Sequence, residues 1–174
     1  MKTVKVLVAA SMAAALLAGC GSKTDTDTFR FASELDIQGM DSTVVDDGMS
    51  FNAIHAITDG LTAVNEKGKT APALAKSWDV SDDGKTYTFH LRNAKWSNGD
   101  KIVANDFVSS WERALNPYFE SKNSYLMYII KGAKDYKEGK ITDFSQVGVK
   151  ALDDKTLQVE LVGEYVYFPT LTTV

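Results

Sequence analysis

The pattern that most restricts the fold of this chain is a tight turn between two runs of alternating apolar and polar side chains, within residues 77–100. The turn itself is Asp82-Asp83-Gly84-Lys85, and the apolar positions on its two sides are Trp78, Val80, Tyr87, Phe89 and Leu91. Alternation with a period of two is typical of a β-strand with one buried face, and an Asp-Gly pair is typical of hairpin turns. The pattern therefore predicts a β-hairpin. A second hairpin is predicted where residues 147–152 and 157–162 flank a similar turn, Asp153-Asp154-Lys155.

A helix is predicted upstream of the first hairpin, because apolar residues recur there at helical spacing: Phe51, Ile54, Ile57 and Leu61. Its candidate N-terminal caps are Asp46, Asp47 and Ser50, and Gly60 lies near its end. His55 lies close to the apolar stripe. We predict that it is a partly buried structural histidine, because no other ligand type is spaced to join it in a metal site.

A second helix is predicted over residues 105–115, and Asn116-Pro117 ends its apolar pattern. Val103 precedes it. Valine cannot accept the backbone N–H bond that a capping side chain accepts, a loss of about 1 kcal/mol unless Asn105 caps instead. Four aromatic residues on the apolar positions of these elements are predicted to be core residues: Trp78, Phe89, Trp96 and Trp111.

The N-terminal segment has the pattern of an export signal. Lys2 and Lys5 precede an apolar run of 13 residues, 6–18, which as a helix would span about 20 Å, less than the roughly 30 Å of a bilayer core. Leu17-Ala18-Gly19-Cys20 follows and resembles the lipobox of bacterial lipoproteins. That resemblance implies removal of residues 1–19 and lipid attachment to Cys20. The alternative is an ordinary exported protein with a free thiol.

Composition excludes several function classes. Removal of Lys2 and Lys5 with the signal segment leaves 17 of the 19 basic residues against 23 acidic ones, a net charge of −6, which disfavours nucleic-acid binding. One cysteine and two histidines leave little material for a zinc site or a Cys/His catalytic pair. No G-x-S-x-G motif or paired-carboxylate motif is present. We therefore predict no catalytic residues, no metal and no cofactor.

Residues 74–117, LAKSWDVSDDGKTYTFHLRNAKWSNGDKIVANDFVSSWERALNP, resemble the signature of the family 5 solute-binding proteins. The later segments IKGAKDYKEGK and VGVKALDDKTLQVEL resemble the oligopeptide-binding, OppA-type subgroup of that family. These proteins are the extracytoplasmic receptors of peptide ABC importers. The resemblance covers essentially the whole chain after the signal segment.

The resemblance implies an α/β fold of the periplasmic-binding-protein type II class, of which this chain supplies only the N-terminal portion, with a small β-rich α+β subdomain of mixed or antiparallel sheet and short helices. Family members are two-lobed and considerably longer, so the second lobe is expected to be absent. The expected divisions are a signal peptide at 1–19, a lipidated tether at 20–28, the start of lobe I at 29–60, the subdomain at 61–162 and a strand returning into lobe I at 163–174. The first of these lobe I strands is expected around Phe29 and Phe31, which alternate with polar neighbours.

The resemblance also implies a function: capture of extended oligopeptides in a cleft and delivery to a membrane permease with its ATPase. It places peptide contacts at Ser33, Glu34, Asp36, Ile37 and Gln38, and at Tyr125 or Tyr128. The expected location is extracytoplasmic, anchored to the cell membrane through Cys20. Two alternatives remain open: a non-peptide solute, such as a nickel complex, haem or an oligosaccharide, and a truncated surface lipoprotein without a transport role.

Overall fold

The computed structural model describes residues 31–173. Residues up to Glu34 form one unit, of which only 31–34 are described, and Leu35–Val174 form a second unit. Residues 31–34 are exposed and have no regular secondary structure. The predicted first strand is therefore wrong at Phe31 and Ala32, and its other residues lie outside the described range. Cys20 and the signal segment also lie outside it.

The second unit combines six short strands with short helices. The helices are α1, Gly48–Ile57; α2, Ala104–Leu115; α3, Ala133–Lys137; and α4, Phe168–Leu171, with 3-10 helices at Ser124–Ile129 and Phe144–Gln146. The strands are β1, Thr62–Val64; β2, Thr70–Pro72; β3, Ala75–Val80; β4, Thr86–Leu91; β5, Val149–Asp153; and β6, Thr156–Glu160. Both predicted hairpins are confirmed, as β3–β4 and β5–β6.

The two hairpins join into one antiparallel sheet with the strand order β3-β4-β6-β5. Phe89 stands opposite Trp78 on β3 and opposite Leu157 on β6, so the apolar faces of both hairpins coincide. Phe89, Leu157 and Leu115 are fully buried, which places the core between this sheet and α2. The predicted helix over 105–115 is confirmed with a start at Ala104.

Two glycines are required by close geometry. Gly84 has a φ of +69° in the first hairpin turn, a conformation that costs little only for glycine, and a Cβ there would lie 2.6 Å from Cγ of Glu164. Gly60 lies so close to the backbone of Thr172 that a Cβ would fall 2.4 Å from its carbonyl oxygen. The segment after α1 and the segment after α4 are therefore in direct backbone contact.

Four details of the sequence prediction are wrong. Trp96 is 48% exposed, because it lies in the loop that follows β4. His55 is exposed, since the buried face of α1 runs through Ser50 and Ile54 instead. Leu61 is buried but lies beyond the helix, which ends at Ile57. The predicted return strand at 163–174 contains a short helix, α4, in its described part.

Candidate functional site

The residues predicted to contact a peptide fall into both units. Ser33 and Glu34 lie in the first unit and are exposed. Asp36, Ile37 and Gln38 lie in the second, exposed and outside any helix or strand. The exposure of these residues agrees with the predicted role in peptide contact.

Ser50 of α1 fixes the end of the Asp36–Gln38 segment. Its fully buried hydroxyl oxygen accepts hydrogen bonds from the backbone N–H of Gln38, at 2.9 Å, and from that of Gly39, at 3.3 Å. Asp47 caps α1 by accepting from the Ser50 N–H at 2.8 Å. Hydrogen bonds from the backbone and the side chain of Ser50 lower the pKa of Asp47. Of the three candidate caps, Asp46, Asp47 and Ser50, the structure has Asp47 as the cap.

The segment continues into a turn, 41–45, that Asp41 organises. The Asp41 carbonyl accepts from the backbone N–H groups of Val44 and Val45, at 3.0 and 3.1 Å. Its carboxylate accepts from the backbone N–H of Thr43 at 3.1 Å and from the Thr43 hydroxyl at 2.5 Å.

Arg113 of α2 binds the same carboxylate through both of its terminal nitrogens. Nη2 lies 2.6 Å from Oδ2 of Asp41 and Nη1 lies 3.2 Å from Oδ1, while Nη1 also donates to the Thr43 hydroxyl at 2.8 Å. The hydrogen bond from Arg113 lowers the pKa of Asp41 to about 2, with Thr43 contributing and partial burial opposing. Bidentate guanidinium–carboxylate pairs combine two charge-assisted bonds in one fixed geometry.

Further contacts tie the turn and its Arg113 partner to the rest of the unit. Asn123 donates through Nδ2 to the carbonyl of Val45 at 2.8 Å, and Lys122 pairs with Asp46 at 2.9 Å. The Arg113 guanidinium lies 4.1 Å from the ring centroid of Phe119.

Tyr125 and Tyr128 lie in the 3-10 helix Ser124–Ile129. Tyr125 is 61% exposed, and Tyr128 is half-buried against the core. Among residues 31–173, no hydrogen bond or ring contact joins either tyrosine to Asp36, Ile37 or Gln38. Their proposed role in peptide contact stays a prediction.

A cavity of about 370 Å³ lies between α1, α2, α4 and the 3-10 helix Ser124–Ile129. Its apolar lining includes Phe51, Trp111, Met127 and Phe168, and hydroxyl groups line it at Ser42 and Thr43 among others. No local sequence pattern indicates this cavity, because its lining comes from segments more than one hundred residues apart along the chain. The turn that Asp41 organises therefore lies beside this cavity.

Residues 31–173 bring together no group of three or more His, Cys, Asp or Glu side chains that could hold a metal ion. Over the same range, no helix is long and apolar enough to cross a bilayer.

Comparison with known proteins gives one family. The model of the bacterial extracellular solute-binding proteins, family 5 Middle, matches residues 69–174. A dipeptide-binding protein of Lactococcus lactis subsp. cremoris is 40% identical over 176 residues, which cover 98% of this chain and 32% of the relative. The chain thus spans about a third of that relative's length.

Solved structures agree. The substrate-binding domain of an oligopeptide ABC transporter from Bacillus anthracis superposes with a TM-score of 0.79 at 37% identity, over 82% of this chain and 28% of that one. OppA of Listeria monocytogenes bound to peptide gives 0.74 at 40% identity, over 77% and 26%. The fold is therefore that of part of an OppA-type binding protein, as the family resemblance implies. The chain belongs to family 5 of the bacterial extracellular solute-binding proteins.

Proposed function

We propose that this chain is part of the substrate-binding lipoprotein of an ABC importer, which captures extended oligopeptides in a cleft and delivers them to a membrane permease and its ATPase. The observation that carries the proposal is the similarity, over nearly the whole chain, to a relative described as a dipeptide-binding protein. The peptide-bound Listeria protein, at 40% identity, supports the same ligand class.

The proposed contact segment is chemically suited to a peptide. Asp36–Gln38 is exposed and lies outside any strand. The Gln38 N–H is bonded to Ser50 and the Asp36 carbonyl accepts from the Gln38 side chain, which leaves the backbone groups of Ile37 for an extended chain. Main-chain hydrogen bonds of this kind are available from every peptide, which explains how such a receptor tolerates different sequences. Ser33, Glu34, Tyr125 and Tyr128 are the further proposed contacts.

The domain limits are proposed on the same basis. Residues 20–28 would form a lipidated tether and residues 29–60 would begin lobe I. The β-rich subdomain would occupy residues 61–162. The six strands found within residues 31–173 all lie between Thr62 and Glu160, which supports that last range.

The ligand class is tested with a protein that continues this chain to the length of its relatives. Calorimetry with a pool of three- to six-residue peptides should give micromolar or tighter dissociation constants. Nickel complexes, haem and oligosaccharides are titrated in parallel. Binding of one of these without peptide binding would replace the peptide assignment, and binding of none would favour a surface lipoprotein without a transport role.

Membrane anchoring is proposed through Cys20, on the strength of the Leu17-Ala18-Gly19-Cys20 motif. Stable anchoring needs more than one acyl chain. The lipobox resemblance implies that Cys20 carries a diacylglyceryl group, which has two. Mass spectrometry of the membrane fraction should find a lipid-modified Cys20 at the mature N-terminus. Cys20→Ala should carry no lipid and should keep residues 1–19, whereas the control Ser22→Ala should be processed and lipid-modified like wild type. A Cys20→Ala variant that is processed and retained in the membrane like wild type would contradict the proposal.

A further inference from the structure

The segment that contains the proposed contacts Asp36, Ile37 and Gln38 is held by side chains rather than by a sheet. No residue from 36 to 47 belongs to a helix or strand. Its anchors include Ser50, which accepts from the backbone of Gln38 and Gly39, and Arg113, which binds side chains of the 41–45 turn. Asn123 adds a contact to the carbonyl of Val45 at the end of that turn. A segment without a backbone ladder depends strongly on such individual anchors.

Arg113 is itself held rigidly. It lies on α2, where the neighbouring Ala114 and Leu115 are almost completely buried. Its guanidinium lies over the Phe119 ring, and the carbonyl of Phe119 accepts from Nζ of Lys137 at 2.6 Å. Lys137 also donates to the carbonyl of Asn116 at 2.9 Å, so the loop that carries Phe119 is fixed to α3. The guanidinium therefore presents a pre-formed binding geometry to Asp41.

The contact of Arg113 with the turn is more specific than a simple charge pair. Nη1 and Nη2 engage both oxygens of the Asp41 carboxylate, and Nη1 also donates to Thr43. The Thr43 hydroxyl accepts this bond while donating its own proton to Asp41. A lysine has a single nitrogen and cannot reproduce the planar two-pronged contact.

We infer that Arg113 is a positioning residue for ligand binding: by holding Asp41 and Thr43, it fixes the 36–45 segment in the conformation that presents Asp36, Ile37 and Gln38. The inference rests on the proposed function for its ligand. The competing explanation is an exposed ion pair of little consequence, as most such pairs are.

The chain provides a matched control for this test. Arg92 donates to Asp59 at 2.8 Å, and both arginine side chains are 48% exposed. Asp59 lies outside the 36–45 segment. Arg113→Gln and Arg113→Lys are therefore compared with Arg92→Gln and Arg92→Lys, so that loss of a surface arginine pair is common to both series.

The first measurement is hydrogen exchange on this 174-residue chain. The amides of Thr43, Val44 and Val45 each donate within the turn and report its order. Arg113→Gln should accelerate their exchange about tenfold without accelerating exchange in β4 or β6, and Arg113→Lys should recover only part of the protection. The Arg92 variants should leave these amides unchanged. Equal exchange in wild type and Arg113→Gln, or the same effect from Arg92→Gln, would overturn the inference.

The second measurement is peptide affinity in the protein extended to the length of its relatives. Arg113→Lys should weaken affinity about tenfold at a temperature well below its melting transition, whereas Arg92→Lys should not. Unchanged affinity would show that the pair is merely structural and would overturn the positioning role. If the extended wild type binds no peptide, the proposed function fails and so does the assigned role in peptide binding, while the exchange result separately decides whether Arg113 orders the turn.

Discussion

Trp96 and Trp111 differ in burial, although both occupy apolar positions in the sequence pattern. Trp111 lies on the inner face of α2 and is 9% exposed, while Trp96 is 48% exposed in a loop. Its ring nitrogen donates to Asp106 at 3.1 Å, so Trp96 serves as a hydrogen-bond donor at the start of α2. A single residue's contribution to stability therefore follows from its packing and cannot be assigned from its type.

We expect Trp111→Ala to destabilise the chain by about 3–5 kcal/mol, the usual cost of removing a buried aromatic side chain. Trp96→Ala should cost about 1 kcal/mol, because it removes mainly one hydrogen bond. Urea denaturation of the two variants and of wild type measures both values. Similar losses from the two substitutions would contradict this assignment of core and surface.

The lowered pKa of Asp41 predicts how the stability of the chain depends on pH. Its pKa is lowered from 3.8 to about 2, so the folded state binds this proton less readily than the unfolded state does. The stabilisation of the folded state by the ionised Asp41 is complete above pH 3.8 and is lost as the pH falls toward 2. Its size should be about 1 kcal/mol or less, since the pair is nearly half exposed.

The measurement is the unfolding free energy of wild type and Asp41→Asn between pH 7 and pH 2. The two proteins should differ at pH 7 and converge as the pH approaches 2. A difference that stays constant over this range would mean that the carboxylate charge is not what stabilises the turn.

At the level of elements, α2 shows how a helix start without a capping side chain is stabilised. Val103 occupies the cap position and its side chain accepts nothing, as the sequence predicts. Asn105 does not replace it, since its side chain reaches Ser109 instead. Asp106 compensates by accepting from the backbone N–H of Val103 at 3.0 Å, and the Asp106 N–H donates to the Val103 carbonyl at 3.1 Å.

Restoring a capping side chain should therefore strengthen this helix. We expect Val103→Thr, which nearly preserves the shape of the side chain, to stabilise the chain by about 1 kcal/mol. Asp106→Ala should destabilise it, because the N–H of Val103 and the ring nitrogen of Trp96 both lose their acceptor. Thermal denaturation of both variants checks the pair of signs, and a destabilising Val103→Thr would contradict the capping argument.

For the whole molecule, the expected peptide affinity depends on how much of its relatives' length this chain covers. The chain covers 32% of the Lactococcus protein and 26% of the peptide-bound Listeria chain. A cleft receptor draws affinity from contacts on two lobes. A site with one wall leaves the hydrogen bonds of the peptide in exchange with water, so each contributes less than the usual net value of about 0.5–1.5 kcal/mol.

We therefore expect the 174-residue chain alone to bind peptides of three to six residues weakly, with dissociation constants above the micromolar range. Micromolar binding requires a binding free energy of about −8 kcal/mol. The protein extended to the length of its relatives should bind them more tightly. Calorimetry on both proteins makes the comparison. Submicromolar binding by the shorter chain would contradict the requirement for a second lobe.

The sequence by itself determined the parts of this protein that depend on local periodicity. Period-two alternation and the Asp-Gly turn determined the hairpin around Gly84, and helical spacing with a terminating Asn-Pro pair determined α2. These signals are readable because side-chain direction along a strand or helix follows from backbone geometry alone. The family was identified separately, through the resemblance of residues 74–117 to its signature.

Only the tertiary structure decided which distant residues meet. Arg113 and Asp41 are 72 residues apart, and nothing in their local sequence marks them as partners. The same holds for the exposure of Trp96, which lies in a loop, and for α4, where the family resemblance implied a strand over 163–174. Local propensity is weak in a segment as short as α4, so the packing of Phe168 into the core decides the conformation of that segment.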